Sequence, residues 1–422
     1  MNYSKGIRNI GIYGGGVFLG VNAIVQPFFS LYAESFGAPT AVIGLLVTMR
    51  SLLGLFIAMP IGQLIDTIGT LTMLRAGAVL MLLSLALMAF SQNLWFLGIS
   101  QLLYGASFII IASSLQVLAS EGFSDKEERN RSINRYSIWA SFGSMTGPLI
   151  GGAFIGAVGS TAAGYSSAYL LCLTISLIAF AYLLWASRTS KRQTESLREG
   201  RGKIADEFRP GRMLESYLGG VGLIRLRSVQ FGLIGTFLIM FIQSLQMSFI
   251  PLYLNRQGFT ALEISAIVSL SGFAGMVCRF ILNRLMKKYN LETILIGAGV
   301  LASLCLICVP LMSFSFFGFA VLAFLLGAAL GVNLPVTIMI MVDETPETER
   351  GKVMGLRLLA NRVSQLISPS LFGLLGQSMG LAMGFYTGGS FMLATMLGFV
   401  GFQSFHKHKA SPQKERSEEQ VP

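Results

Sequence analysis

The chain has 422 residues, of which 53% are hydrophobic and 12% charged, where a soluble domain averages about 25% charged. Its mean hydropathy is +0.66. So little polar surface excludes a cytosolic enzyme, a disordered chain and, despite a net charge of +11, a nucleic-acid binder; what remains is a polytopic membrane protein.

A helix crossing a ~30 Å hydrocarbon core needs about 20 mostly apolar residues. Runs of that length fall at 9–33, 40–65, 73–91, 94–119, 134–158 and 166–186. A second set falls at 229–253, 261–283, 292–312, 316–341, 353–377 and 381–404. The pattern therefore predicts an all-α membrane protein of twelve spans, numbered here 1 to 12 in chain order. The first run lacks a signal-peptide cleavage site and is read as a retained helix. Turns such as Gly37–Pro39 and Ser91–Asn93 separate most spans. Residues 187–227 carry ten Lys/Arg and five Asp/Glu, with an amphipathic helix expected near Phe208–Leu223. The expected organisation is a six-helix bundle over 1–186, a linker over 187–228, a second six-helix bundle over 229–404 and a polar tail over 405–422. Basic residues concentrate in the linker, the tail and the loops on their side of the membrane. Arg256 is the only basic residue between spans on the opposite side. Positive charge marks the cytoplasmic face, so both termini and the linker are expected in the cytoplasm and the chain in a bacterial-type inner membrane.

The two halves align at a constant shift of 221 residues. Asn22 falls on Gln243, Leu31–Tyr32 on Leu252–Tyr253, Gly37 on Gly258, Glu128–Arg129 on Glu349–Arg350 and Pro148 on Pro369. Two parallel repeats of six helices form a transporter architecture, with substrate held near the midplane between the halves.

The loop after span 2 reads Gly62-Gln-Leu64-Ile-Asp66-Thr-Ile-Gly69. Gly62 permits close helix approach, Gly69 a tight turn, and Asp66 can bond a helix N-terminus or a cytoplasmic Arg. This loop resembles the G-x-L-x-D-R-x-G-R-R gating motif of the major facilitator superfamily, although Thr67, Thr70 and Leu71 replace its basic residues. Span 5 contains Gly143-x3-Gly147-Pro148-x2-Gly151-Gly152. It resembles the G-x3-G-P-x2-G-G packing signature that the superfamily associates with antiporting exporters; a further Gly of that signature is Asn134 here. Gln101-Leu-Leu-Tyr104-Gly105 in span 4 stands where the superfamily often has R-x-x-Q-G, so the Arg linked to proton relay is missing. The resemblance runs over residues 9–404. It implies two pseudo-symmetric bundles and a secondary transporter that exports a small amphipathic molecule, with a proton as a possible second partner. It names no substrate.

A charge at the bilayer centre costs ~2.5–3.5 kcal/mol on insertion scales, so ionisable residues there are functional candidates. Arg50 and Arg362 both fall near the midplane, on spans that are neighbours in the superfamily's arrangement. They either face one cavity or hold the halves together through helix carbonyls. Arg357, Asn361 and Gln365 recur every four residues and share one helix face. Asn22 with Gln26, and Gln243 with Gln246, make shorter polar stripes on spans 1 and 7, and Tyr104 and Trp139 can supply aromatic walls. These eleven residues are the expected cavity lining. No Asp or Glu lies deep in any span; Glu34, at the outer end of span 1, is the remaining coupling candidate.

No catalytic residues, cofactor or metal site are expected: there is no P-loop and no H-E-x-x-H, and both histidines sit in the tail. Two rivals to an exporter stay open, an organic-anion uptake or exchange carrier and a non-transporting membrane scaffold or sensor. The bilayer is the only assured partner; oligomeric state is open, with a monomer as the working expectation. The topology has a direct check. A membrane-impermeant maleimide applied to intact cells should label a cysteine placed at Gln257 and spare one placed at Glu199. Labelling at Glu199 would refute the orientation.

Overall fold

A computed structural model of the chain describes residues 5–57, 61, 64–65, 68–120, 125–187, 221–312, 315–343, 345–346 and 349–398. Among these, every regular element is helical. Spans 1 to 6 are Lys5–Ser35, Thr40–Ile57, Thr70–Ala89, Leu94–Ser120, Lys126–Val158 and Ala162–Ser187. Spans 7 to 9 are Arg227–Arg256, Ala261–Met286 and Leu291–Cys308. Span 10 is built of Phe316–Gly331 and Asn333–Asp343, span 11 is Arg350–Met379, and span 12 covers 381–398. Gly62 and Asp66 lie outside the described residues, as do most of the linker and the tail; of the helix expected near 208–223, only the short 3-10 helix Val221–Arg225 falls within them.

Helix ends follow local chemistry. Asp125 caps span 5, its carboxylate accepting from the Glu127 and Glu128 amides at 3.2 and 3.3 Å. Two polar turns thereby precede the apolar run, and a hydropathy reading starts the span eight residues late. Thr260 and Glu263 form a capping box at span 8, worth ~1 kcal/mol. Span 10, expected as one helix, breaks at Val332. Pro335 has no N–H to offer the Gly331 carbonyl one turn back, and Arg279 of span 8 takes that carbonyl through Nε at 3.4 Å.

The repeat reappears in the backbone. Gly37 and Gly258 have φ of 75° and 90°, and Gly159 and Gly380 have 114° and 85°. Each pair is 221 residues apart and ends the first or fifth helix of its half. Pro148 and Pro369, also equivalent, both lie inside helices.

The halves meet along two seams. A Cβ on Gly44 of span 2 would overlap the Pro369 carbonyl of span 11, and one on Gly152 of span 5 would overlap the Ser265 side chain of span 8. Gly44 and Ser265 are equivalent positions, so one seam is the repeat of the other. The glycines of span 5 thus serve two faces. Gly143 and Gly147 press on the Gly16 and Gly20 carbonyls of span 1 within the half, and Gly151 on Ile24; Gly152 alone crosses to the other half. Lipid tails are as apolar as leucine, so such backbone-to-backbone packing is what joins membrane helices.

Gly143→Ala should therefore cost ~1–3 kcal/mol through overpacking. Gly156→Ala on the same helix, where a Cβ meets nothing within 4 Å, should be neutral. Thermal unfolding followed by size-exclusion fluorescence separates them, and equal midpoints would show that the seam is not tight.

Candidate functional site

At mid-membrane, spans 1, 2 and 4 bring together Asn22, Arg50 and Tyr104. Arg50 Nη2 donates to Asn22 Oδ1 at 2.6 Å, and the Tyr104 hydroxyl donates to the same oxygen at 3.3 Å. The Arg50 guanidinium lies 4.9 Å from the Tyr104 ring centre and 5.2 Å from that of Phe108. Phe18 packs on Phe108 at 5.1 Å. The Arg50 backbone is pressed against Gly105 of span 4, where a Cβ would overlap the Arg50 carbonyl.

Span 11 approaches from the other half. Arg362 Nη1 donates to Gln365 Oε1 at 3.2 Å, and Gln365 Nε2 donates to Asn361 Oδ1 at 2.7 Å. Arg362 reaches span 2 beside Gly54, whose Cβ would stand 3.9 Å from Arg362 Cδ. Arg362 thus lies against span 2 one helical turn from Arg50. Among the described residues, no carboxylate forms an ion pair with either. Arg362 Nε is buried without a protein partner. Two cations, three amides and a phenol, walled by Phe108 and Phe18, make a site suited to an acceptor-rich or anionic group on an aromatic or aliphatic body.

The other expected lining residues sit elsewhere or stand alone. Arg357 is 5% exposed and turns away to Thr337 of span 10, its Nε donating at 3.2 Å; a shared face with Asn361 spans enough arc to split between cavity and bundle interior. Gln246 turns into the C-terminal bundle, donating to Ser271 Oγ at 2.5 Å, and lines a separate small cavity with Met247, Cys305 and Phe319. Trp139 is 42% exposed, edge-on to Tyr13 at 5.3 Å and to Phe142 at 5.8 Å. Gln26 and Gln243 are half-buried on spans 1 and 7. Gly69 has φ 95° and precedes span 3. Phe18, Phe108 and Gly54 were not foreseen; the spacing of Gly54 four residues after Arg50 was the available signal.

At the end of the spans away from the termini, a polar latch crosses between the halves. Arg256 Nε donates to Glu34 Oε1 at 2.7 Å, Arg256 Nη2 donates to Thr40 Oγ1 at 3.1 Å, and Asn255 Nδ2 donates to Glu34 Oε2 at 3.3 Å. Below it, Thr48 of span 2 donates to the Leu366 carbonyl and bonds Ser370 of span 11, at 3.1 and 2.7 Å. These contacts and both seams lie in the same half of the membrane, so this end of the molecule is closed.

Comparison with known proteins places these features. The family model described as Major Facilitator Superfamily matches residues 12–320 and 313–422. A multidrug resistance protein MdtG from Dickeya zeae is 24% identical, covering 86% of this chain and 85% of its own length. A multi-drug resistance efflux pump PmrA homolog from Lactococcus lactis is 25% identical, covering 87% and 89%. A class B tetracycline resistance protein from Escherichia coli is 22% identical over 79% and 78%. Among solved structures, a POT family transporter in complex with a thioalcohol-conjugated peptide superposes with TM-score 0.68 at 15% identity, covering 94% of this chain and 95% of that one.

The latch pair is partly exposed, at 37% for the Arg256 side chain and 25% for that of Glu34, so its worth is ~1 kcal/mol or less. That energy acts on the balance between states rather than on folding. Glu34→Gln and Arg256→Gln should each raise the population open at this end by up to about fivefold. The readout is the maleimide labelling rate of Thr48→Cys in a background without the four native cysteines. An unchanged rate in both variants would remove the latch from the transport cycle.

Proposed function

The chain belongs to the major facilitator superfamily and is a multi-pass secondary transporter; on that premise we propose that it exports a small amphipathic molecule carrying an anionic or strongly electronegative group. The observation that carries the substrate class is the pair of half-buried arginines within the spans, Arg50 of span 2 and Arg362 of span 11, contributed by opposite halves and set among amide and aromatic neighbours. The direction rests on relatives named for multidrug and tetracycline resistance. The residues proposed to contact substrate are Asn22, Arg50, Tyr104, Asn361, Arg362 and Gln365, with Gln26 and Gln243 at the margin.

The mechanism proposed is alternating access. The closed end faces outside, and the termini and linker face the cytoplasm, where substrate enters. Binding between the two guanidiniums relieves their mutual repulsion, which draws the halves together at the cytoplasmic side. The seams and the latch then part outward. Glu34 is the proposed coupling group: a proton taken from outside neutralises its carboxylate and releases Arg256, which favours the outward-open state. Asp66 is proposed as the corresponding latch acid of the cytoplasmic side. Exchange or uptake of an organic anion is the second reading, supported by the same unpaired arginines.

Lysine keeps a charge but loses the guanidinium fork, so Arg362→Lys should retain part of the affinity for an anionic compound. Arg362→Gln should lose ~10- to 100-fold, the ~1.5–3 kcal/mol of a charged hydrogen bond. The neutral ester of the same compound should be much less affected by either change. Equal losses for acid and ester, measured on monodisperse protein, would return Arg362 to a purely structural role.

A further inference from the structure

A third arginine within the spans, Arg357, stands outside this site and is buried. Arg357 spends its Nε on Thr337, while its Nη2 is buried with no protein partner. One turn before Thr337, Asn333 is fully buried and neither atom of its amide has a protein partner. The Thr337 hydroxyl is itself committed, donating to the Asn333 carbonyl at 2.7 Å. Span 7 adds Thr236, also fully buried with an unpartnered hydroxyl. Its place follows from register. A Cβ on Gly232 would overlap the Met341 side chain, and spans 7 and 10 run antiparallel. One turn on along span 7 and one turn back along span 10 sets Thr236 across from Thr337.

The repeat locates the same cluster independently. The equivalents of Thr236, Thr337 and Arg357, 221 residues earlier, are Gly15, Gln116 and Tyr136. There the Tyr136 ring lies over Gly15, leaving no room for a Cβ. The N-terminal half thus fills the position with a neutral phenol. The C-terminal half fills it with a cation, and the surrounding N–H and O–H groups are left unspent. Among the described residues, no carboxylate lies within 4 Å of Arg357. Water would satisfy the spare donors but leave the charge uncompensated, and a buried charge without a counterion is strongly destabilising. A small anion answers both demands.

We propose that spans 7, 10 and 11 hold a small monovalent inorganic anion of the halide class, bound by Arg357 Nη2, the Asn333 amide N–H and the Thr236 hydroxyl. The ion is a resident counterion inside the C-terminal bundle, separate from the substrate between Arg50 and Arg362. It fixes span 11, which carries Arg357 and Arg362 on one helix, to the kinked span 10.

The test is thermal unfolding of the purified full-length protein in uncharged detergent. Sodium gluconate is replaced stepwise by sodium chloride or bromide at constant ionic strength. Either halide should raise the midpoint saturably, by roughly 3 °C. Asn333→Leu and Thr236→Val should each move half-saturation at least about tenfold higher, and Arg357→Gln should abolish the response. Arg362→Gln should keep it, which separates this ion from one bound at the substrate site. Should Arg357→Gln not fold, the two neutral variants carry the test. A wild-type midpoint indifferent to halide would overturn the proposal, as would a response lost in Arg362→Gln and kept in Asn333→Leu and Thr236→Val.

Discussion

Between the halves, backbone touches backbone, and the rest of the arrangement depends on that contact. Gly44 admits the Pro369 carbonyl, and Gly152 admits Ser265. In hydrocarbon no hydrophobic force presses two helices together, so close packing and dispersion must supply the attraction. Large side chains at these four positions would hold the helices apart and leave nothing to replace the lost contact. Further along span 2, a Cβ on Gly54 would press on Ile109 of span 4 and stand 3.9 Å from Arg362 Cδ, so span 11 still touches span 2 at the level of the site.

The charges of the membrane interior are accommodated without acids. Arg50 rests on two ring faces and one amide oxygen, and Arg362 on another amide. Cation–π contacts are worth ~0.5–2 kcal/mol, more when dry. That is enough to keep a guanidinium in place, and it leaves its charge uncancelled. A carboxylate partner would have stabilised each arginine more and made each less responsive to a passing anion. The balance is that of a site tuned for turnover rather than for retention.

The architecture was largely legible in the sequence because the bilayer allows so few solutions. Length, apolar composition and the 221-residue shift carry the span count and the pairing of halves. The break in span 10 was signalled by Pro335 but is invisible to hydropathy, which reads Asn333-Leu-Pro as a minor dip. The site was less legible. Spacing assigns residues to a helix face, but a face covers an arc wide enough to meet two neighbours. Arg357 and Asn361 share such an arc, and the structure sends the first into the bundle, with its guanidinium on Thr337. Gln246 went the same way, held by Ser271. The Glu34–Arg256 pair was hidden for another reason: its members are 222 residues apart, and only the closed geometry brings them together.

The Asn255 to Glu34 bond has a historical reading. Positions 34 and 255 are the same position in the two repeats, and a residue on a two-fold axis meets its own copy. In a symmetric ancestor made of two separate six-helix chains, position 34 would have faced another residue of the same kind. Two glutamates there would repel, and two asparagines would bond with no charge to modulate. A Glu–Asn pair at the axis requires two halves whose sequences are free to diverge. Divergence of the halves, on this account, is what lets a charge stand at the axis of the closed end.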